Sequence, residues 1–94
     1  MGCTKYQYLQ MLEKDRRTAA LTSADKKLQV YAAQDPAESV RIALLLNPST
    51  KKNTRALSSI LRKEQIQSIR IRAENMLLDE KLYGNGDVAH VAAH

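Results

Sequence analysis

The chain contains no tryptophan and no phenylalanine, and four tyrosines are the only aromatics in its 94 residues. A core without larger rings has to be assembled from Leu, Ile, Val, Met and Ala, a set that favours helices. Cysteine is almost as scarce. Cys3 alone excludes an internal disulfide, and nothing argues for secretion. An intracellular, cytoplasmic location is therefore the expectation. The longest apolar run, residues 42–46, is far short of the ~20 residues a membrane-spanning helix needs. The first residues also lack the apolar stretch of a secretory leader. No segment alternates polar and apolar residues with a period of two, so no strand is predicted.

Catalytic vocabulary is missing as well. The chain has no G-x-S-x-G, no phosphate-binding loop, no Cys-x-x-Cys and no His-Glu-x-x-His. Its two histidines, His90 and His94, have i, i+4 spacing but no evident third metal ligand. Cys3 has no histidine in an ordered element to activate it. Asp79 and Glu80 are adjacent, so on a helix they diverge by about 100° instead of sharing a site. The expectation is a non-enzymatic protein with no metal and no cofactor.

What the chain does have is helical punctuation. Thr4 predicts the cap of a helix over residues 5–21, with Tyr8, Leu9, Met11 and Leu12 as its apolar positions. Ser23 precedes a second helix over 24–34, in which Leu28, Tyr31 and Ala32 share a face. Asp35-Pro36-Ala37-Glu38 predicts a third start, with Asp35 as N-cap, proline where its missing N–H costs nothing, and Glu38 bonding back to the cap. This helix carries Val40, Ile42, Ala43, Leu44, Leu45 and Leu46, apolar nearly all round, which predicts a central element covered on more than one side. Asn47 is expected to take the left-handed turn that ends it, and Pro48 bars continuation. Ser49 or Thr50 should then cap a fourth helix over 51–62, with Leu57, Ile60 and Leu61 on one face. After a break near Lys63 and Glu64, a fifth pattern of Ile66, Ile69, Ala73, Met76 and Leu77 runs to Tyr83, with Gly84 as its stop. The prediction is a single all-α domain over residues 1–83, about five short helices packed as antiparallel hairpins, followed by a flexible tail over 84–94.

A partial internal repeat runs through this pattern. Ser39-Val40-Arg41-Ile42 recurs as Ser68-Ile69-Arg70-Ile71, with Asn47 and Asn75 following the two arginines. Asp35, Val40, Arg41, Ala43, Asn47, Pro48 and Thr50 resemble one unit of the leucine-rich variant repeat, a relative of HEAT-like helical solenoids, and Ile69, Arg70 and Ala73 resemble the start of a following unit. Lys51 stands where that family often has proline, Leu57 falls two residues late, and the second unit has Met76 in place of the Asn-Pro corner. The resemblance covers residues 35–76 and implies a right-handed stack of helical hairpins that serves as a binding scaffold. The family's best-known members carry a cysteine cluster for iron and sulfur, which Cys3 alone cannot supply.

The charge balance points to partners. Fifteen Lys and Arg against ten Asp and Glu leave a net charge of +5, which favours an anionic partner. Lys51, Lys52 and Arg55 are expected in the first turn of a helix after Thr50, where free N–H groups already favour anions. Arg62 and Lys63 extend the candidate phosphate-binding set. Lys14, Arg16 and Arg17 alternate with Glu13 and Asp15 and read as an ordinary solvated face, while Arg41 and Arg70 are expected to pair with carboxylates between helices. An alternative treats residues 51–62 and 65–78 as a DNA-binding helix-turn-helix, with Gln65, Gln67 and Ser68 opening the second helix. For a protein partner or self-association, the candidate contact is an exposed strip of Ile71, Leu78 and Leu82. From the residues alone a protein partner comes first, recognised by helix faces and a basic edge, with nucleic acid next. A membrane partner is not expected: Gly2-Cys3 resembles the start of doubly acylated proteins, but Tyr6 stands where that motif has Ser or Thr.

Overall fold

The computed structural model describes residues 4–83. The predicted tail, its two histidines, Gly2 and Cys3 lie outside the described residues, as does the side chain of Leu82. The described residues form α1 (Lys5–Gln10), α2 (Glu13–Thr22), α3 (Lys26–Ala33), α4 (Glu38–Leu46), a 3-10 turn (Pro48–Lys52), α5 (Thr54–Lys63) and α6 (Gln67–Tyr83). The chain is all-α, and none of these helices is long and apolar enough to cross a membrane.

The helix starts follow local chemistry, though not always at the predicted residue. Thr4 caps α1 with a full capping box: its hydroxyl accepts from the Gln7 N–H, and the Gln7 side chain accepts from the Thr4 N–H. The predicted single helix over 5–21 is instead two. Met11 and Leu12 are extended, and Arg16 from the second helix donates to the Met11 carbonyl oxygen freed by the break. The bend sends Tyr8 into the core and leaves Leu9 and Leu12 exposed. α3 starts behind Asp25, whose carboxylate accepts from the Lys27 and Leu28 N–H groups. Ser23 accepts from the Asp25 N–H and is not the cap.

Asp35 does not cap α4 either. Its carboxylate is wholly buried and turned back toward α1 and α2, and only the Ala37 N–H reaches it from the following helix. α4 begins behind Ala37 without a side-chain cap. Asn47 is extended rather than left-handed, with φ −76° and ψ 120°. It caps the 3-10 turn by accepting from the Ser49 N–H, with Pro48 at the first position. The fourth predicted helix therefore starts later, at Thr54. Neither Ser49 nor Thr50 caps it, because the Thr50 hydroxyl donates to the Leu44 carbonyl and Asn53 supplies the cap by accepting from the Ala56 N–H.

Packing follows a regular order. α2 lies against α4, α3 against α5, and α5 against α6, with α3 also touching α4. α4 and α5 scarcely touch each other, and the 3-10 turn contacts both. The core consists of Tyr8, Leu28, Val40, Leu44, Leu45, Leu57, Ile60, Ile69 and six small alanines, so helices approach closely where rings are absent. Leu44, Leu57 and Ile60 are fully buried, and each contributes about 1.5–3 kcal/mol by leaving water. The Ile69–Ala73 side of α6 faces this core as its spacing predicts, whereas α4 is open on one side, with Ile42 at 40% and Leu46 at 53% exposure.

Between the helices runs a set of buried polar links. Arg41 forms a two-pronged ion pair with Glu64 and also donates to the Asp35 carbonyl, which joins the start of α4 to the α5–α6 corner. Every buried side-chain nitrogen and oxygen among the described residues has a hydrogen-bond partner. The side-chain links between distant segments bridge separations of 19 to 29 residues, from Arg16–Asp35 at the short end to Lys5–Gln34 at the long end.

Candidate anion-binding groove

The strongest concentration of unneutralised charge lies where α3 and α5 begin side by side. Lys26 and Lys27 from α3, with Lys52 and Arg55 from the second segment, line one groove of about 460 Å³. Val30 and Tyr31 supply its apolar part, Asn53 and Thr54 its remaining wall, and among the described residues no acidic side chain lines it. All four cations are exposed. None takes part in an ion pair among the described residues, whose pairs are Arg16–Asp35, Arg17–Glu13 and Arg41–Glu64. The nearest carboxylate in sequence, Asp25, accepts from two backbone N–H groups of α3.

Asn53 brings the two segments together. Its side-chain nitrogen donates to the Lys26 carbonyl at 3.1 Å and to Gln29 Oε1 at 2.8 Å, while its oxygen caps α5. Gln29 in turn donates to the Ser23 carbonyl at 2.8 Å and to the Ser49 hydroxyl at 2.7 Å. Asn47 completes the clip by donating to the carbonyls of Ala20 and Ser23. Gln29, Asn47 and Asn53 are all buried, so this end of the molecule is welded by polar groups that apolar packing cannot replace without orphaning a partner.

The predicted cations divide between the two ends of α5. Lys52 and Arg55 line the groove, and Lys51 is exposed beside it in the 3-10 turn. Of the three, only Arg55 lies in a first α-helical turn, so the expected placement of Lys51 and Lys52 there is corrected by the later start of α5. Arg62 and Lys63 sit in the last turn of the same helix, about 10 Å further along its axis. Lys63 instead lines a polar recess of about 370 Å³ beside the Arg41–Glu64 pair. Lys26 and Lys27 are neighbours in the sequence, but only the tertiary contact through Asn53 joins them to Lys52 and Arg55.

Arg16 is the other correction. It belongs to no solvated face: its Nε donates to Asp35 Oδ2 at 2.8 Å, and the Tyr8 hydroxyl donates to the same oxygen at 2.5 Å. The hydrogen bond to Asp35 raises the Arg16 pKa further, against an opposing effect of burial. Burial first, and then the hydrogen bond and charge of Asp35, push the Tyr8 phenol far above its ordinary value. Arg17 does remain on an exposed face, 3.9 Å from Glu13. Arg41 pairs between helices as expected, whereas Arg70 is exposed and makes no ion pair among the described residues.

A second, apolar groove of about 400 Å³ runs between α4 and α6, lined by Ile42, Leu46 and Ile71 with Arg72 on its margin. Ile71 and Leu78 are each 48% exposed on α6. Gln65, Gln67 and Ser68, the proposed base-reading residues of a helix-turn-helix, are exposed around the start of α6. Among the described residues, no group of three His, Cys, Asp or Glu side chains could hold a metal ion. Compared with protein-family models, curated proteins and solved structures, the chain matches none.

Proposed function

We propose that the domain is a non-enzymatic binding module that holds nucleic acid by its phosphates in the α3–α5 groove. The observation that carries this reading is the convergence of Lys26, Lys27, Lys52 and Arg55 on one groove with no acidic lining residue among the described residues. Four cations with no ion-pair partner among the described residues form an electrostatic footprint for a polyanion, and the first turn of α5, capped by the neutral Asn53, adds a helix dipole of the same sign. The convergence reverses the order expected from the residues alone, where a protein partner stood first.

Titration of labelled single-stranded and duplex oligonucleotides from about 50 to 200 mM salt tests the reading, with four phosphates neutralised predicting roughly 50- to 150-fold weaker binding across that range. Lys52→Glu with Arg55→Glu should lower affinity at least tenfold, on the order of 1.4 kcal/mol or more, without lowering the melting temperature, because both side chains are exposed and unpaired. Binding that ignores both salt and this reversal would remove the groove from the function.

The exposed apolar groove supports a second reading, an adaptor that meets a protein or a second copy of itself through Ile42, Leu46, Ile71 and Leu78. In sedimentation, self-association abolished by Ile71→Asp with Leu78→Asp would favour it, and a monomer in both proteins would refute the self-association form. Either function suits a HEAT-like or leucine-rich-variant scaffold. The α2–α4 and α3–α5 contacts, and the Asn47 and Asn53 links that each reach back 27 residues, support that architecture.

A further inference from the structure

Resting on the phosphate-binding reading, we infer that the groove takes single-stranded nucleic acid, with a base stacked on Tyr31 while the flanking phosphates meet the lysines and Arg55. The groove is chemically two-sided. Its cations come from the start of α3 and from the Lys52–Arg55 segment, and Val30 and Tyr31, one turn further along α3, line the same groove. A duplex keeps its bases stacked on one another and offers no open ring face, so the Tyr31 ring would have nothing to stack on. A single strand presents charged backbone and flat apolar rings together, the pairing that basic grooves with aromatic platforms use.

The size agrees with this ligand. A cavity of about 460 Å³ falls in the range of small-molecule pockets, roughly 300–1,000 Å³, room for a splayed nucleotide rather than a seat for a whole duplex. The platform is also fixed in place. The Tyr31 ring packs on Tyr8 with centroids 5.9 Å apart and planes tilted by 48°, and Tyr8 is anchored by its hydroxyl to Asp35. The ring that lines the groove is thus oriented by the core before a ligand arrives. Tyr31 is only partly buried, and Val30 beside it likewise.

The test compares three labelled probes against the intact protein at one salt concentration: a thymidine strand of about ten nucleotides, an abasic strand of the same length, and a duplex of the same length. The thymidine strand should bind about tenfold or more tightly than the other two. Tyr31→Leu, which keeps apolar volume but loses the ring face, should bring it to the level of the abasic strand without changing its salt dependence, and Tyr31→Phe should retain the preference. If the abasic strand binds the wild-type protein as tightly as the thymidine strand, stacking is overturned while phosphate binding stands. Equal or tighter duplex binding overturns single-strand preference in the same way. If none of the three binds at low salt, the phosphate-binding reading falls, and this inference with it.

Discussion

Replacing Asp35 by asparagine exchanges one carboxylate oxygen for an NH2 group and should cost the domain much of its stability. The wild-type carboxylate is fully buried and accepts three hydrogen bonds, from Tyr8 and Arg16 on Oδ2 and from the Ala37 N–H on Oδ1. The Ala37 bond keeps the remaining amide oxygen at the Oδ1 position, so the new NH2 group faces the Arg16 N–H, donor against donor. Tyr8 escapes this conflict, because its hydroxyl can rotate and accept. The guanidinium cannot accept, and at 14% exposure it has little water to replace its lost partner. Removing one member of a buried pair costs roughly 3–5 kcal/mol. The Arg16 bond to the Met11 carbonyl survives, which places the loss near the lower end, about 3 kcal/mol. For a domain of this size that corresponds to a fall of about 12–24 °C in melting temperature. Thermal melts followed by circular dichroism at helix wavelengths measure it directly. Glu13→Gln is the control, since its exposed carboxylate only meets Arg17 at 3.9 Å and accepts from the Ser39 hydroxyl at 3.2 Å, a bond the amide oxygen keeps, and it should cost under about 0.5 kcal/mol. Equal melting temperatures for the two variants would refute the account of Asp35 as the anchor of α1 and α2.

Tyr8 gives the alkaline counterpart. Its folded-state pKa is raised above the unfolded value, so its stabilising contribution is complete below about pH 10 and is lost as pH rises beyond it. Tyr8→Phe should flatten the decline of stability with pH above about pH 10, measured by urea unfolding at a series of alkaline pH values; an unchanged decline would show that Tyr8 ionisation is not coupled to folding. Asn53→Ala removes the α5 cap and two buried donor bonds and should destabilise the protein by about 2–3 kcal/mol. It should also weaken oligonucleotide binding although it removes no charge. Binding as tight as wild type in the folded variant would show that the Asn53 clip does not set the groove.

How much of this could be read from the residues depends on the range of the forces involved. The Thr4 cap and the inward face of α6 are set by neighbours three or four residues apart, and they appear where the spacing places them. Asp35 and Asn47 were recognisable as corner residues, but their side chains also bond across the molecule, to Tyr8 and Arg16 in one case and to the end of α2 in the other. No local pattern distinguishes that from capping. Arg16 sits in a run of alternating charges that looks solvated, and only the bend at Met11 and Leu12 turns it inward. The groove was half legible. Lys51, Lys52 and Arg55 stood out as a cluster, whereas Gln29 on an apolar face and Asn53 ahead of α5 were the available signals for the clip that adds Lys26 and Lys27.

The limited reach of the side-chain links, none among the described residues spanning more than 29 residues, has a kinetic consequence. α1 and α6 never have to find each other for the described residues to fold, since each segment closes on one of the next two in line. Loop-closure entropy grows only slowly over such distances, and a chain of local contacts belongs among the fast folders, in the microsecond-to-millisecond range. It should also open in order. α1 is held mainly through α3 and Asp35, so amide exchange ought to be fastest there and slowest in α4 and α5, as in a zip that frays from its end.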